Sequence, residues 1–376
     1  MQLVSVLFPI IFSIIFGITI FYLCNNRSIS KNSKIFIPIF IIVSLIANFL
    51  TLGIIESMAS HDIEIWSGRI TEIEHKEEWD EWHPPTTKTE TYTKTVNGKT
   101  VTKTRTVTVP GYWEHHYAEN YVTTSDNGTQ LVTSSPDGKE FNDSYPNTTD
   151  ELNMYYPVGQ ATASLHTYEN KLQFSKSLFK KGDLHEELVE SLPDYPNEMK
   201  SDFTVTRLIG DIPNFDETNK ALNEWNSELN KMVENPETGK KESWKQVNVI
   251  FVNVGDLPIE YGYALEEKWE GGNKNDFVVC FSMVNNQIQW VYPFSWTEVE
   301  ILKLEVRDLL LDQKEIKDFK PIVDEVCKLI SEKFDRKEMA DYNYIKYEHN
   351  GSSYLTSFII CLLLFIIGLF LAFNHE

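Results

Sequence analysis

Three long apolar runs without a charged side chain constrain this chain more than any other feature. The runs are Leu3–Leu23, Ile35–Ile55 and Tyr354–Phe373. An α-helix rises about 1.5 Å per residue, so each run would be about 30 Å long as a helix, which is the thickness of the hydrocarbon core of a bilayer. The sequence therefore predicts transmembrane helices at residues 1–24, 35–55 and 354–373, with one large polar segment between the second and the third.

That polar segment, Glu56–Ser353, is strongly acidic. Arg27, Lys31, Lys34 and Glu376 are the only charged residues outside it, so of 34 basic and 55 acidic residues it contains 31 and 54, a net charge of −23. Such a field repels nucleic-acid phosphates and favours cations or basic partners. We therefore expect no nucleic-acid partner, and an integral membrane protein with an unknown protein partner.

The short loop between the first two runs predicts the orientation in the membrane. Residues 25–34 contain three basic residues and no acidic one, which is typical of a cytoplasmic loop. Residues 56–353 would then be extracytoplasmic. The alternative for residues 1–24 is a cleaved signal peptide, but no basic residue precedes the apolar run and no small-residue cleavage site follows it.

The polar segment changes in composition near residue 180. Residues 61–180 are rich in Thr, Tyr, Val and Gly and contain NG, DNG and PDG turn sequences, which predicts a β-rich domain. Residues 201–345 alternate between helical and strand patterns, which predicts an α/β domain. Residues 181–200 form the predicted linker. The expected fold class is thus a membrane-anchored α+β protein.

The clearest local signal is a long β-hairpin in the β-rich domain. The strands TKTETYTKTV and KTVTKTRTVTV flank Asn97–Gly98, the preferred pair for a two-residue type I′ turn. In this register opposed residue numbers sum to 195, so five Thr pairs form, among them Thr93 with Thr102. Because both faces are polar, we expect residues 79–117, called the finger below, to project from the domain. Prolines near its base predict a bend, and four aromatic residues there are expected to join a core.

Histidines and acids at the base of the finger suggest a metal site. The group comprises Asp80, Glu81, His83, His115 and His116, and the register places Asp80 opposite His115. Imidazole and carboxylate ligands suit zinc or another transition metal, with Asp80, His83 and His115 as the predicted set. The alternative is simple side-chain packing, because the adjacent His115 and His116 point to opposite faces of a strand.

The α/β domain has a readable order of elements. The pattern predicts helix, strand, helix, strand, strand, helix and helix, and its first helix covers Glu217–Glu234. The two neighbouring strands are FVVCFSMV and QIQWVYPF, which Asn285–Asn286 joins as a turn.

This order resembles the TPM domain, a family of small membrane-anchored extracytoplasmic α/β modules. The segments RLIGDIPNF, WEGGNKNDFVVCFSMVNNQIQW and FKPIVDEVCKLISEKF carry the resemblance, which covers about residues 202–345. Asn275–Asp276 stands where the family usually has Asn–Gly. The resemblance implies a central sheet flanked by helices. It also implies a link with assembly or repair of membrane complexes, divalent-cation binding or phosphatase activity.

Carboxylates at the ends of predicted strands suggest a second metal site. Asp211, Asp256 and Asp276 would supply oxygen ligands for calcium or another divalent cation. Calcium binds six to eight oxygen atoms. We expect Asp211 and Asp276 to lie at neighbouring strand ends. The alternative is that these residues only form turns and helix caps.

Three functions remain open at this point. A non-catalytic, membrane-tethered interaction or assembly module is favoured because the sequence contains no GxSxG, P-loop, GxGxxG or HExxH motif. A metal-dependent phosphatase is the alternative, although the net charge repels phosphate esters unless a cation inverts the local field. A transport subunit ranks last, since the apolar runs contain no ionisable residue.

Overall fold

The structure is a computed structural model, and it describes residues 10–19, 22, 36–96, 99–136, 141, 145–175, 191–201, 203–236 and 238–374. Within these ranges the protein is a mixed α/β structure. The helices are α1 (Ile10–Thr19), α2 (Phe36–Ser60), α3 (Thr149–Tyr155), α4 (Phe215–Leu229), α5 (Glu260–Lys268), α6 (Glu300–Leu311), α7 (Lys320–Lys333) and α8 (Gly351–Asn374). The strands are β1 (His61–Lys76), β2 (Trp79–His83), β3 (Thr86–Val96), β4 (Lys99–Val109), β5 (Tyr112–His116), β6 (Glu119–Thr124), β7 (Gly128–Val132), β8 (Ala161–Glu169), β9 (Met199–Ser201), β10 (Thr204–Val205), β11 (Leu208–Ile209), β12 (Met232–Glu234), β13 (Lys241–Ser243), β14 (Asn248–Asn253), β15 (Asp276–Val284) and β16 (Gln287–Ser295).

Two helices are long and apolar enough to cross a membrane. They are Ile41–Ser60 within α2 and Gly351–Gly368 within α8. The first predicted span, residues 1–24, is described mainly as α1, which is a shorter apolar helix. Two candidate membrane spans are therefore found and the third is not confirmed. The predicted cytoplasmic loop, residues 25–34, lies outside the described residues.

A buried polar cluster joins the three apolar helices. The side-chain amide of Asn48 in α2 donates a hydrogen bond to Sγ of Cys361 in α8 at 2.6 Å, and its oxygen accepts one from Ser357. Ser44 contacts both Ser13 of α1 and Cys361 at 3.0 Å. Polar side chains that pair across apolar helices hold them together where water is absent. The helices thus pack as a bundle around Asn48.

The β-rich domain is built on an antiparallel sheet with the strand order β7–β6–β1–β8. β1 pairs with β8 along its first part and with β6 along its second part. Its core contains Ile70 of β1, Val122 of β6 and Leu152 of α3, all fully buried. Alternate residues of β6 are buried, as expected for a strand with one face on a core.

The finger extends this sheet without a change of register. β3 pairs with β4 and β2 with β5, and all opposed residue numbers sum to 195, which confirms the five predicted Thr pairs. The same register continues between β1 and β6 as far as Glu72 opposite Thr123, where it shifts. The pairing is interrupted at Pro84–Pro85 and at Pro110, as predicted. The turn residues Asn97–Gly98 lie outside the described residues.

The α/β domain contains a second sheet with the order β11–β14–β15–β16. The first three strands are parallel and β16 is antiparallel to β15. Phe251 and Phe281 face α4, α6 and α7, whereas Ile250 and Cys280 face α5. The predicted helices and strands occur in the predicted order, with the short strand β11 added before them and the β12–β13 hairpin added between α4 and β14. The prediction for the first helix is wrong at its end, because α4 stops at Leu229 and the chain then forms the β12–β13 hairpin.

The described part of the predicted linker packs between these two sheets. Leu192 is buried against α5, and the indole nitrogen of Trp269 donates a hydrogen bond to the carbonyl of Pro193 at 2.9 Å. Residues 176–190 lie outside the described residues. Tyr195 of this segment is partly buried and packs against residues of both sheets, so the segment contributes to the contact between them.

Candidate functional site

The two faces of the β2–β5 pair carry different side chains. Because strand residues alternate between faces, opposed pairs share one face. Asp80 and Trp82 lie on one face with their partners Trp113 and His115, and we call this the aromatic face. The other face, called the His/Glu face, carries Trp79, Glu81, His83, Tyr112, Glu114 and His116.

The aromatic residues at the base of the finger are exposed. Trp79, Trp82, Tyr112, Trp113 and the following Tyr117 each expose 47% or more of their surface. The expectation that they join a core is wrong, because in the described structure these side chains face solvent and β1 and β6 connect the finger to the core. Large apolar side chains that cluster on an exposed element typically mark an interaction surface.

A glycine allows the aromatic face to form. A Cβ atom on Gly111 would lie 2.6 Å from the ring of Trp82 and 2.8 Å from the carbonyl of His83. The chain thus passes directly over the indole of Trp82, and the rings of Trp82 and Trp113 lie 5.2 Å apart. Any larger residue at position 111 would displace this ring.

The structure separates the predicted metal ligands of the finger. Nδ1 of His115 lies 2.7 Å from Oδ1 of Asp80, as the register predicted. His83, however, lies on the opposite face, so Asp80, His83 and His115 do not form one site. The strand alternation that separates His115 from His116 also separates His83 from Asp80.

A different group converges on the His/Glu face. Nε2 of His83 lies 2.8 Å from Oε2 of Glu114, and Nε2 of His116 lies 3.2 Å from Oε2 of Glu81. The sequence prediction missed Glu114. The signal that would have found it is an acid and a histidine two residues apart on each strand, combined with the register.

The outer part of the finger is basic. Residues 86–109 contain five Lys and Arg and one Glu, a net charge of +4 within an otherwise acidic segment. The single acid, Glu90, lies 3.0 Å from Lys88 and 3.1 Å from Arg105, and these two cations hold the pKa of Glu90 below its usual value. The finger thus presents positive charge beyond its aromatic base.

The predicted carboxylate site in the α/β domain does not assemble. Asp211 and Asp256 follow the carboxyl ends of β11 and β14, whereas Asp276 is the first residue of β15. These strands are parallel, so Asp276 lies at the opposite edge of the sheet. The expectation that Asp211 and Asp276 occupy neighbouring strand ends is wrong, and the cluster on which the phosphatase alternative depended is absent among these three residues.

Asp276 instead belongs to a buried hydrogen-bond network. Its Oδ2 accepts hydrogen bonds from the hydroxyl of Tyr195 at 2.8 Å and from the backbone N–H of Asn273 at 2.7 Å. Its Oδ1 accepts one from the side chain of Asn248 at 2.9 Å. Burial raises the pKa of Asp276 to about 6. Three protein donors already occupy this carboxylate, which points to a structural role.

Arg207, which the sequence analysis did not single out, is the cation of this network. Its Nε donates to Asn248 at 2.7 Å, and its two terminal nitrogens donate to Asn223 and to Ser67 of β1 at 3.2 Å and 2.6 Å. Burial lowers the pKa of Arg207 to about 10, so the guanidinium stays charged at neutral pH. Arg207 and Asp276 thus compensate one another through Asn248 and tie the two sheets together.

Comparisons with protein-family models, with curated proteins and with solved structures give no match for this chain. The resemblance to the TPM domain therefore stays a prediction. Among the described residues, the base of the finger is the best candidate for a functional site, because its Trp and Tyr side chains are exposed and its His and Glu side chains converge on one face.

Proposed function

We propose that the protein is a membrane-tethered extracytoplasmic module that binds a partner protein through the finger. The aromatic face carries this proposal. Trp side chains provide much of the binding energy in protein interfaces, and both Trp residues of this face, Trp82 and Trp113, are exposed on a two-stranded element. Their exposure has a hydrophobic cost that a partner would remove.

The charge of the finger indicates the chemistry of that partner. A net charge of +4 on residues 86–109 favours a protein with an acidic surface opposite the outer finger. Complementary charges accelerate association and set orientation, while buried aromatic residues slow dissociation. We expect the aromatic base to determine affinity and the basic outer part to determine the rate of binding.

The attachment to the membrane limits where the partner can be. α2 ends at Ser60, directly before β1, and the chain re-enters an apolar helix at Gly351, so one side of the membrane holds both ends of the polar segment. Three basic residues in loop 25–34 support an extracytoplasmic location for this side. A partner that contacts the finger would then lie outside the cytoplasm.

One experiment tests both the location and the surface. Tyr117→Cys is labelled in intact cells with a membrane-impermeant, photoactivatable thiol reagent, because Tyr117 is exposed, contacts His115 of the aromatic face and leaves Trp82 and Trp113 in place. Met154→Cys in α3 is the control because Met154 is also highly exposed. We expect both positions to be labelled from outside, and only position 117 to give a discrete protein adduct. Adding Trp82→Ala should reduce that adduct at least about tenfold, as expected when an interface anchor is truncated.

Two results contradict the proposal in different ways. If neither cysteine is labelled until the cells are lysed, the extracytoplasmic location is wrong. If both are labelled but positions 117 and 154 give the same adducts, the aromatic face is not a specific binding surface.

A further inference from the structure

A second property of the finger is independent of any protein partner. We infer that Glu81, His83, Glu114 and His116, on the His/Glu face, bind one divalent transition-metal ion of the zinc class. Two strands supply one carboxylate and one imidazole each. The four groups lie on the same face because Glu81 is opposed to Glu114, and the histidines are two residues away on either side.

Three of the four groups converge within the spacing that a metal ion needs, and the fourth, His83, lies beside two of them. Ligand atoms about 2.1 Å from zinc in a tetrahedral arrangement are separated from each other by about 3.4 Å. Nε2 of His83 lies 2.8 Å from Oε2 of Glu114 and 3.8 Å from Oε2 of Glu81. Nε2 of His116 lies 3.2 Å from Oε2 of Glu81, and one ligand atom each of Glu81, Glu114 and His116 fall within 4.8 Å of one another. Small side-chain movements would complete the coordination.

The charges of this face also favour a cation. Glu81 and Glu114 are directly opposed across the two strands, an arrangement that destabilises a sheet through repulsion between like charges. An ion of charge +2 between them removes this repulsion, whereas neutral histidines only accept or donate a hydrogen bond. The repulsion between Glu81 and Glu114 destabilises the metal-free strand pair, and its relief adds to the free energy of metal binding.

Aromatic side chains hold both imidazole rings in place. The ring of His116 stacks on Trp79 at 4.3 Å with an angle of 9°, and the ring of His83 stacks on Tyr112 at 4.7 Å with an angle of 19°. Ligands fixed before the metal arrives lose little conformational entropy when they bind it. The stacking at both ends therefore favours tight binding although the site is on a surface.

The ligand set selects the class of metal. Two imidazoles with two carboxylates suit zinc and neighbouring transition metals, whereas calcium and magnesium prefer sites built from oxygen alone. The predicted calcium-type chemistry does not apply to this face. An ion here cross-links β2 to β5 next to the proline interruption, and so holds Trp82 and Trp113 of the aromatic face in position.

Metal titration of the full-length protein tests the inference. The protein is purified in detergent, treated with a chelator and titrated with Zn²⁺ by calorimetry and with Co²⁺ by visible absorption. We expect one ion per chain and cobalt bands typical of four-coordination. His83→Ala and His116→Ala should each weaken Zn²⁺ binding at least about 10–100-fold, the loss found when even an outer-shell group of a metal site is removed.

His115→Ala is the matched control, because this histidine also pairs with a carboxylate but lies on the aromatic face. It should leave Zn²⁺ affinity within about twofold, a change well below 1 kcal/mol. Glu81→Gln, which keeps the side-chain shape, should weaken binding even if a histidine variant loses the finger structure. The inference is overturned if His115→Ala weakens binding as much as His116→Ala, if Glu81→Gln has no effect, or if equimolar Ca²⁺ displaces the ion.

Discussion

The finger and the Arg207–Asp276 network use the same kinds of charged and polar side chains in opposite surroundings. In the finger, Glu90 lies between Lys88 and Arg105 in contact with solvent. In the network, Arg207 and Asp276 are fully buried and are linked through Asn248. Water screens the charges of the finger, which can therefore also pair with groups of a partner. The buried charges of the network have no contact with water and need hydrogen-bond partners within the protein. Charges outside are therefore available for binding, and charges inside hold the fold together.

The largest expected effect comes from removing the buried cation. Arg207→Met should lower the free energy of unfolding by about 3–5 kcal/mol, because Asp276 stays buried without its compensating charge and Ser67 loses its donor. Urea denaturation of the detergent-solubilised protein, followed by circular dichroism, measures this change. Arg105→Met in the finger is the control and should leave the midpoint unchanged. Equal losses in the two variants would remove the distinction between the regions.

The next effect is the pH dependence that Asp276 causes. The unfolded chain releases this proton near the ordinary pKa of 3.8, whereas the folded protein holds it up to about pH 6. The contribution to stability is therefore complete below pH 3.8 and is lost as the pH rises to 6. The whole contribution is about 3 kcal/mol, since one pKa unit corresponds to 1.36 kcal/mol, and about 2 kcal/mol of it is lost between pH 4 and pH 6.

Asp276→Asn isolates this contribution. The variant cannot titrate at position 276, so the difference in unfolding free energy between wild type and variant should change by about 2 kcal/mol between pH 4 and pH 6. Denaturation curves at several pH values measure it, and Glu90→Gln in the finger serves as the exposed control. A constant difference across this range would show that Asp276 is charged in the folded protein at both pH values.

The change with the smallest expected effect on stability lies in the outer finger, where disulfide formation tests the register of β3 and β4. Thr93 and Thr102 are directly opposed, so the double variant Thr93→Cys/Thr102→Cys should form a disulfide readily under mild oxidation. Thr93→Cys/Thr104→Cys is a diagonal pair and should form much less. Non-reducing gel electrophoresis gives both yields. Similar yields would mean that the register of the finger is not unique, and the two faces of its base would then lose their separate identities.

The finger was predictable because its information is local. One NG turn and a two-residue period determine which side chains oppose each other, and the pairs from Thr95 with Thr100 down to Trp79 with His116 follow by counting. The error at its base had the same origin. The alternation that separates His115 from His116 also separates His83 from Asp80 and His115, so the predicted set of three ligands mixed residues of the two faces.

The order of elements in the α/β domain was also predictable, since apolar runs and helical periods are local patterns. The edge of the sheet at which each aspartate lies could not be predicted, because it depends on the direction of each strand within the sheet. Asp276 begins β15 while Asp211 follows β11, and only the parallel pairing shows that they occupy opposite edges.

Local patterns in the chain are enough to locate the two apolar helices long enough to cross a membrane, the acidic polar segment, the register of the finger and the succession of helices and strands. Which polar groups are buried together depends on the packing of elements that are distant in sequence. Arg207 meets Ser67 across 140 positions of the chain, Asn275 donates to the carbonyl of Ile65, and Asn48 of α2 meets Cys361 of α8. No local pattern encodes these contacts, because a polar side chain pairs with whichever group the packing of distant elements brings within hydrogen-bond distance, and burial then makes that pair obligatory.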